Sequence, residues 1–108
     1  MELQEYLKSI GWRIKVIRLR KGLELQELAN SSGMESSYLA LIEAGQNISA
    51  RSVHKICIAL DIDPGLIMCW DKNWHQLRAE IAQLEKELAD RNRAKRLRKK
   101  WKRKKRGR

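Results

Sequence analysis

Cysteine is scarce in this chain. Cys57 and Cys69 are too few and too far apart for a disulfide framework or a zinc-finger pattern, so both are expected to be packing residues in a reducing cytosol. His54 and His75 fit no metal-ligand spacing with them, and no metal is expected. The start, Met-Glu-Leu-Gln-Glu, has neither the basic flank nor the apolar run of a signal peptide, and no apolar window is long enough to span a bilayer. There is no paired-carboxylate, Ser/His/Asp or phosphate-loop constellation. An enzyme, a cofactor and a small-molecule substrate are therefore not expected. The last 18 positions contain no acidic residue at all.

That last absence explains the charge. Residues 1–90 hold 11 Lys/Arg against all 13 Asp/Glu, a balance of −2, whereas residues 91–108 hold 13 Lys/Arg. The overall +11 thus belongs to a tail, and charge alone implies a polyanionic partner for that tail and not for the rest. With 108 residues there is room for one small domain and an appendage.

The organising stretch is Leu25 to Gly45, which reads as two short helices joined by a tight turn. Leu28 and Ala29 face inward on the first helix, Leu39 and Ile42 recur at helical spacing on the second, and Gly33 stands where the chain must reverse. A residue without Cβ reaches positive φ there at no steric cost, leaving Met34 to plug the corner and Gly45 to end the second helix.

These residues resemble the Cro and lambda-repressor type of helix-turn-helix, the XRE family, from Ile10 to about Met68. The matching pieces are Ile10-Gly-Trp-Arg-Ile14, Ile17-Arg18, Lys21-Gly-Leu23, Leu28-Ala29 with Gly33, Ser37-Tyr-Leu-Ala-Leu-Ile-Glu43, Gly45, Ile56 and Ala59-Leu60. The resemblance implies an all-α fold: a five-helix lambda-repressor-like helix-turn-helix domain over residues 1–68. An amphipathic coiled-coil-like helix over 69–90 and a basic tail over 91–108 would follow it. It further implies a partly buried ion pair between Arg18 and Glu43, whose disruption from one side would cost about 3–5 kcal/mol if fully buried.

Taken in order, the first helix is expected from Leu3 to Lys21, with Leu3, Leu7, Ile10, Ile14 and Ile17 forming its core stripe. Lys8, Arg13, Lys15 and Arg20 lie opposite, as a solvated face or as phosphate contacts. Glu24 and Glu35 occupy the N-cap positions of the next two helices, where Ser or Thr is commoner. By resemblance, the recognition helix presents Ser36, Ser37, Ala40, Leu41 and Ala44. None of these is a side chain suited to bidentate base contact. Tyr38 reads as packed surface, with base stacking as the alternative. By the same resemblance, Gln26 and the loop residues Gln46, Asn47, Ser49 and Arg51 are the backbone-contact candidates, Ser49 also being a candidate cap. Val53, Ile56, Cys57 and Leu60 give the fourth helix its core face, and Asp63-Pro64 opens a fifth helix that Leu66 and Ile67 should anchor.

Nothing in the sequence stops that fifth helix. From Trp70 the apolar residues fall at 70, 74, 77, 81, 84 and 88, with Trp74, Ile81 and Leu88 at a and Trp70, Leu77 and Leu84 at d of a heptad. A homodimer through residues 70–88 is favoured, and the alternative is one helix folding its stripe back onto the domain. The tail that follows carries Arg91, Arg93, Lys95, Arg96, Arg98, Lys99, Lys100, Lys102, Arg103, Lys104, Lys105 and Arg106, with Trp101 among them. Self-repulsion should leave it frayed until phosphates neutralise it.

The function expected is a sequence-specific, DNA-binding transcriptional regulator of the cytoplasm and nucleoid, a repressor by resemblance, with the tail adding nonspecific hold and no membrane contact. The alternative is an interaction adaptor. In it Glu24, Leu25, Glu35 and Leu41 dock a protein while the tail binds nucleic acid or an anionic surface.

Overall fold

The computed structural model describes residues 1–106. The helices are α1 (Leu3–Arg20), α2 (Leu25–Ser32), α3 (Ser36–Glu43), α4 (Ala50–Leu60), α5 (Gly65–Met68) and α6 (Leu77–Arg106), with a single 3-10 turn at Trp74–Gln76 before the last. No strand occurs among the described residues.

The first five helices close around Ile10, Ile14, Leu28, Ala29, Leu39, Ile42, Val53, Ile56, Cys57, Leu60 and Ile67. The α2–α3 corner forms as its residues dictate. Gly33 has φ 68°, a left-handed conformation that caps α2, and Met34 N–H donates to Ala29 O at 3.0 Å while its side chain packs on the core. Gly11 permits a close helix crossing, because a Cβ there would lie 2.5 Å from Ile42 O and 2.7 Å from Glu43 O. Across the same crossing Arg18 clasps Glu43. Its Nε donates to Oε2 at 2.8 Å and its Nη2 to Oε1 at 3.0 Å, while Nη1 donates to Leu23 O at 2.8 Å. Both side chains are buried, so the pair ties α1, the α1–α2 turn and α3 into one unit. Burial pushes the Cys57 thiol up, with Asp63 adding to it, which keeps it a neutral packing group.

Several expectations for α1 are corrected. Leu3 is exposed, whereas Arg13 is buried, its Nη1 donating to Ser9 Oγ and to Cys69 O, both at 3.2 Å. Its Nη2 lies 3.5 Å from Asp71. Lys15 and Arg20 are engaged too, by Glu85 at 2.7 Å and Glu80 at 2.6 Å. The face opposite the core stripe is thus a second packing surface. The sequence could not show what would cover it.

The cover is α6. The fifth helix does not run on: α5 stops at Met68, and Cys69 is extended at ψ 151°. At the break the carbonyls accept from the side, Met68 O from the Tyr6 hydroxyl at 2.5 Å and Cys69 O from Arg13, and the chain then turns at Asp71, whose Oδ1 accepts from Asn73 N–H at 2.9 Å. Trp70 therefore leaves the heptad and lies exposed, 5.3 Å from the Tyr6 ring. Leu66 and Cys69 are exposed as well, so Ile67 alone of that segment anchors in the core. After the turn, Trp74 and Ile81 bury against α1, where Ile81 meets Val16 and Leu19, with Leu77, Leu84 and Leu88 packed around them. Trp74 stands edge-on to Trp12 at 4.7 Å, and its Nε1–H donates to Glu5 at 3.3 Å. The stripe expected to meet a second chain is folded back on its own, because α1 offers it an apolar face within reach.

The tail also differs from expectation. It continues α6 as helix to Arg106. Its residues are good helix formers, with neither Gly nor Pro before position 107, and the docked first half provides the nucleus that an isolated tail lacks.

Candidate nucleic-acid interface

The outer face of α3 is set by what its inner face must bury. Leu39, Ile42 and Glu43 point inward, which leaves Ser37, Ala40 and Leu41 of α3, and Ala44 that caps it, exposed, with Ser36 half-buried. Leu41 is 50 % exposed, a large apolar side chain in an otherwise small and hydroxylic row. Tyr38 stays at the edge, its hydroxyl 3.4 Å from Ser52 Oγ.

Two grooves flank this row. On one side Leu41 and Ala44 line a depression with Gln46 and Asn47 of the loop and with Leu3 and Gln4 from the start of α1. On the other, Ala40 and Ala44 share a groove with Leu25 of α2, with Trp12 and Lys15 of α1, and with Arg78 and Ile81 of α6. The structure thus brings Leu41, Ala44, Gln46 and Asn47 together, and Ala40 with Leu25. Ser49 serves the fold: its Oγ caps α4 by accepting from Ser52 N at 3.1 Å. Arg51 is exposed on the first turn of that helix, and Gln26 is exposed with its amide on Asn30 at 2.8 Å.

The two glutamates at the N-caps behave differently. Glu24 has its backbone N–H on the Glu27 carboxylate at 3.0 Å, and its own carboxylate accepts from the Asn92 amide of α6. Glu35 is exposed, and no side-chain hydrogen bond caps α3.

Arg78 is the residue that sequence reasoning missed. It is exposed at the edge of the α3 row and carries the guanidinium that the row itself lacks. In the sequence it is one more polar position between heptad residues. Only the return of α6 onto α1 puts it beside Ala40 and Ala44. Among the described residues no group of three or more His, Cys, Asp or Glu is placed to hold a metal, and no helix is long and apolar enough to cross a membrane.

A family model described as helix-turn-helix matches residues 14–67. The HTH-type transcriptional regulator SinR of Bacillus subtilis (strain 168) is 42% identical over 55 residues, covering 49% of this chain and 50% of that protein. SinR of Bacillus licheniformis matches to the same extent. The chain spans about half the length of these curated relatives. Among solved structures, the restriction-modification controller protein C.AhdI from Aeromonas hydrophila aligns with a TM-score of 0.55 at 36% identity, over 58% of this chain and 96% of that one.

Proposed function

The chain belongs to the helix-turn-helix family, and from that premise we propose that it is a DNA-binding transcriptional regulator acting in the cytoplasm on the chromosome. The observation that carries this reading is the outer row of α3. It is held from behind by the buried Arg18–Glu43 clasp, is exposed at Ser37, Ala40, Leu41 and Ala44, and is flanked by the polar loop residues Gln46 and Asn47. The relatives named as transcriptional regulators support it.

In this mechanism α3 enters the major groove. Ala40 and Leu41 contact thymine methyls, and Ser36 and Ser37 offer small hydroxyl contacts. Gln46, Asn47 and Arg51 hold the backbone on one side, and Arg78 holds it on the other. Such a row discriminates weakly, so affinity must come largely from phosphates. The basic half of α6 supplies that charge and makes binding steeply salt-dependent. A homodimer through residues 70–88 that uses the same apolar stripe requires α6 to be exchanged, each copy's stripe docking on its partner's α1. A monomeric mass at micromolar concentration rules that arrangement out.

The test is binding of the full chain, and of a form ending at Asp90, to random duplex and to sites selected from a random pool at several salt concentrations. A shortened form that keeps its sequence preference while losing the steep salt dependence assigns reading to α3. Leu41→Glu should then abolish the preference. If Leu41→Glu leaves affinity and preference unchanged, α3 does not read the groove and the adaptor reading replaces this one.

A further inference from the structure

Charge is exchanged between α1 and α6. The docked half of α6 contributes Glu80 and Glu85, which engage Arg20 and Lys15, and Arg13 and Arg18 are matched to Asp71 and Glu43. Arg13 and Arg18 are thereby buried away from any phosphate, while Lys15 and Arg20 stay partly exposed with their charges offset by carboxylates of α6. In return the same helix carries its basic half past the end of α1 without a break.

The direction of that half is constrained at the crossing point. Asn92 donates to the Glu24 carboxylate at the start of α2, and the Arg91 guanidinium lies 2.8 Å from where a Cβ on Gly22 would be. Farther back, Ile81 and Arg78 line the groove that Ala40 and Ala44 border. One continuous helix therefore begins beside the outer row of α3, passes the start of α2, and leaves the domain. Every Lys and Arg from Arg93 to Lys104 along it is exposed. Residues 93–106 span about 21 Å at 1.5 Å per residue, roughly six base pairs at 3.4 Å each.

We infer that α6 is a fixed second arm of the DNA-binding surface, contacting backbone phosphates of the same duplex on one flank of the stretch read by α3, with Arg78 on the phosphate nearest that helix. The inference rests on the proposed reading of DNA by α3. A flexible tail of equal charge would give the same salt dependence while spreading its contacts over all neighbouring phosphates. A rigid arm holds them at one distance and on one side.

The discriminating experiment is hydroxyl-radical footprinting of the full chain on a duplex it has itself selected from a random pool. It is compared with a variant carrying three glycines inserted after Arg93. The insertion keeps every charge and every docking contact but breaks the helix. The expected result is a discrete protected run of roughly six base pairs on one flank. The insertion should abolish that run and weaken binding to the selected site about tenfold, through lost preorganisation. Affinity for random duplex should change by less than about twofold, because the phosphate charge is unaltered. Arg78→Ala should lower affinity uniformly across sequences and reduce the salt slope by about one. A selected site whose flank is unprotected, or protected alike in both proteins, overturns the inference and leaves α3 as reader. Failure to enrich any site, with random duplex still bound, overturns the α3 reading and this inference together.

Discussion

The two surfaces that α1 buries are held by different means. Toward α2, α3 and α4 it contributes Ile10 and Ile14 to a core whose members are almost wholly enclosed, and it adds a charged clasp that is itself buried. Toward α6 it contributes Val16 and Leu19, which meet Ile81 in a narrow seam edged by half-exposed leucines and by the surface pairs Lys15–Glu85 and Arg20–Glu80. The first interface defines the domain. The second attaches an arm, and its smaller apolar area and solvent-screened charges make it the lower-stability unit.

The difference can be broken from either side. Arg18→Met leaves the Glu43 carboxylate buried and unpaired, and should cost about 3–5 kcal/mol, read as a lowered urea midpoint for the whole molecule. Gly11→Ala drives a methyl against the Ile42 and Glu43 carbonyls, which belong to backbone and cannot step aside. A loss of about 3 kcal/mol in the same measurement is expected.

Attack on the seam should look different. Ile81→Ala is expected to cost about 2 kcal/mol. The loss should appear as faster amide exchange confined to α6, with the amides of α3 still protected. Uniform acceleration would mean that domain and arm form one cooperative unit. The smallest effect concerns pH. The hydrogen bond from Arg20 holds the Glu80 carboxyl below its ordinary value, and Glu80 in turn raises the guanidinium. A depressed carboxyl stabilises the folded form above the ordinary glutamate pKa and loses that contribution as pH falls through its lowered value. Docking of α6 should therefore loosen as pH falls below the ordinary glutamate range, detectable as a change in tryptophan emission. Arg20→Gln should remove the step at a cost of about 0.5 kcal/mol at neutral pH.

Much of the domain was legible before any coordinate. Gly33 and Met34 announced the corner, Ser49 its cap, Arg18 and Glu43 their pairing, and the spacing of Val53, Ile56, Cys57 and Leu60 their common face. The corner, the cap and the common face rest on local chemistry or on a period of 3.6, which are properties of the chain itself, whereas the pairing of Arg18 with Glu43 was implied only by the family resemblance. The uncharged character of the α3 row was equally plain from Ser36, Ser37, Ala40, Leu41 and Ala44.

Tertiary structure decided what covers a stripe and where a helix ends. The period at residues 74–88 states that one face will be buried, and says nothing of whether the partner is a second chain or α1, since both are apolar helix faces. The stop after Met68 has only the weak local signal of Asp71 and Asn73, which turn the chain just beyond it, while Tyr6 and Arg13 reach across from α1 to bond two carbonyls at the break. Arg13 read as a solvated or phosphate-contacting side chain and Arg78 was not singled out, for the same reason: exposure belongs to the fold, and only packing draws the Arg13 guanidinium onto Ser9, Cys69 and Asp71 and sets Arg78 beside Ala40 and Ala44. Charge and periodicity were written in the sequence; which charges remain free to meet a phosphate was settled by packing.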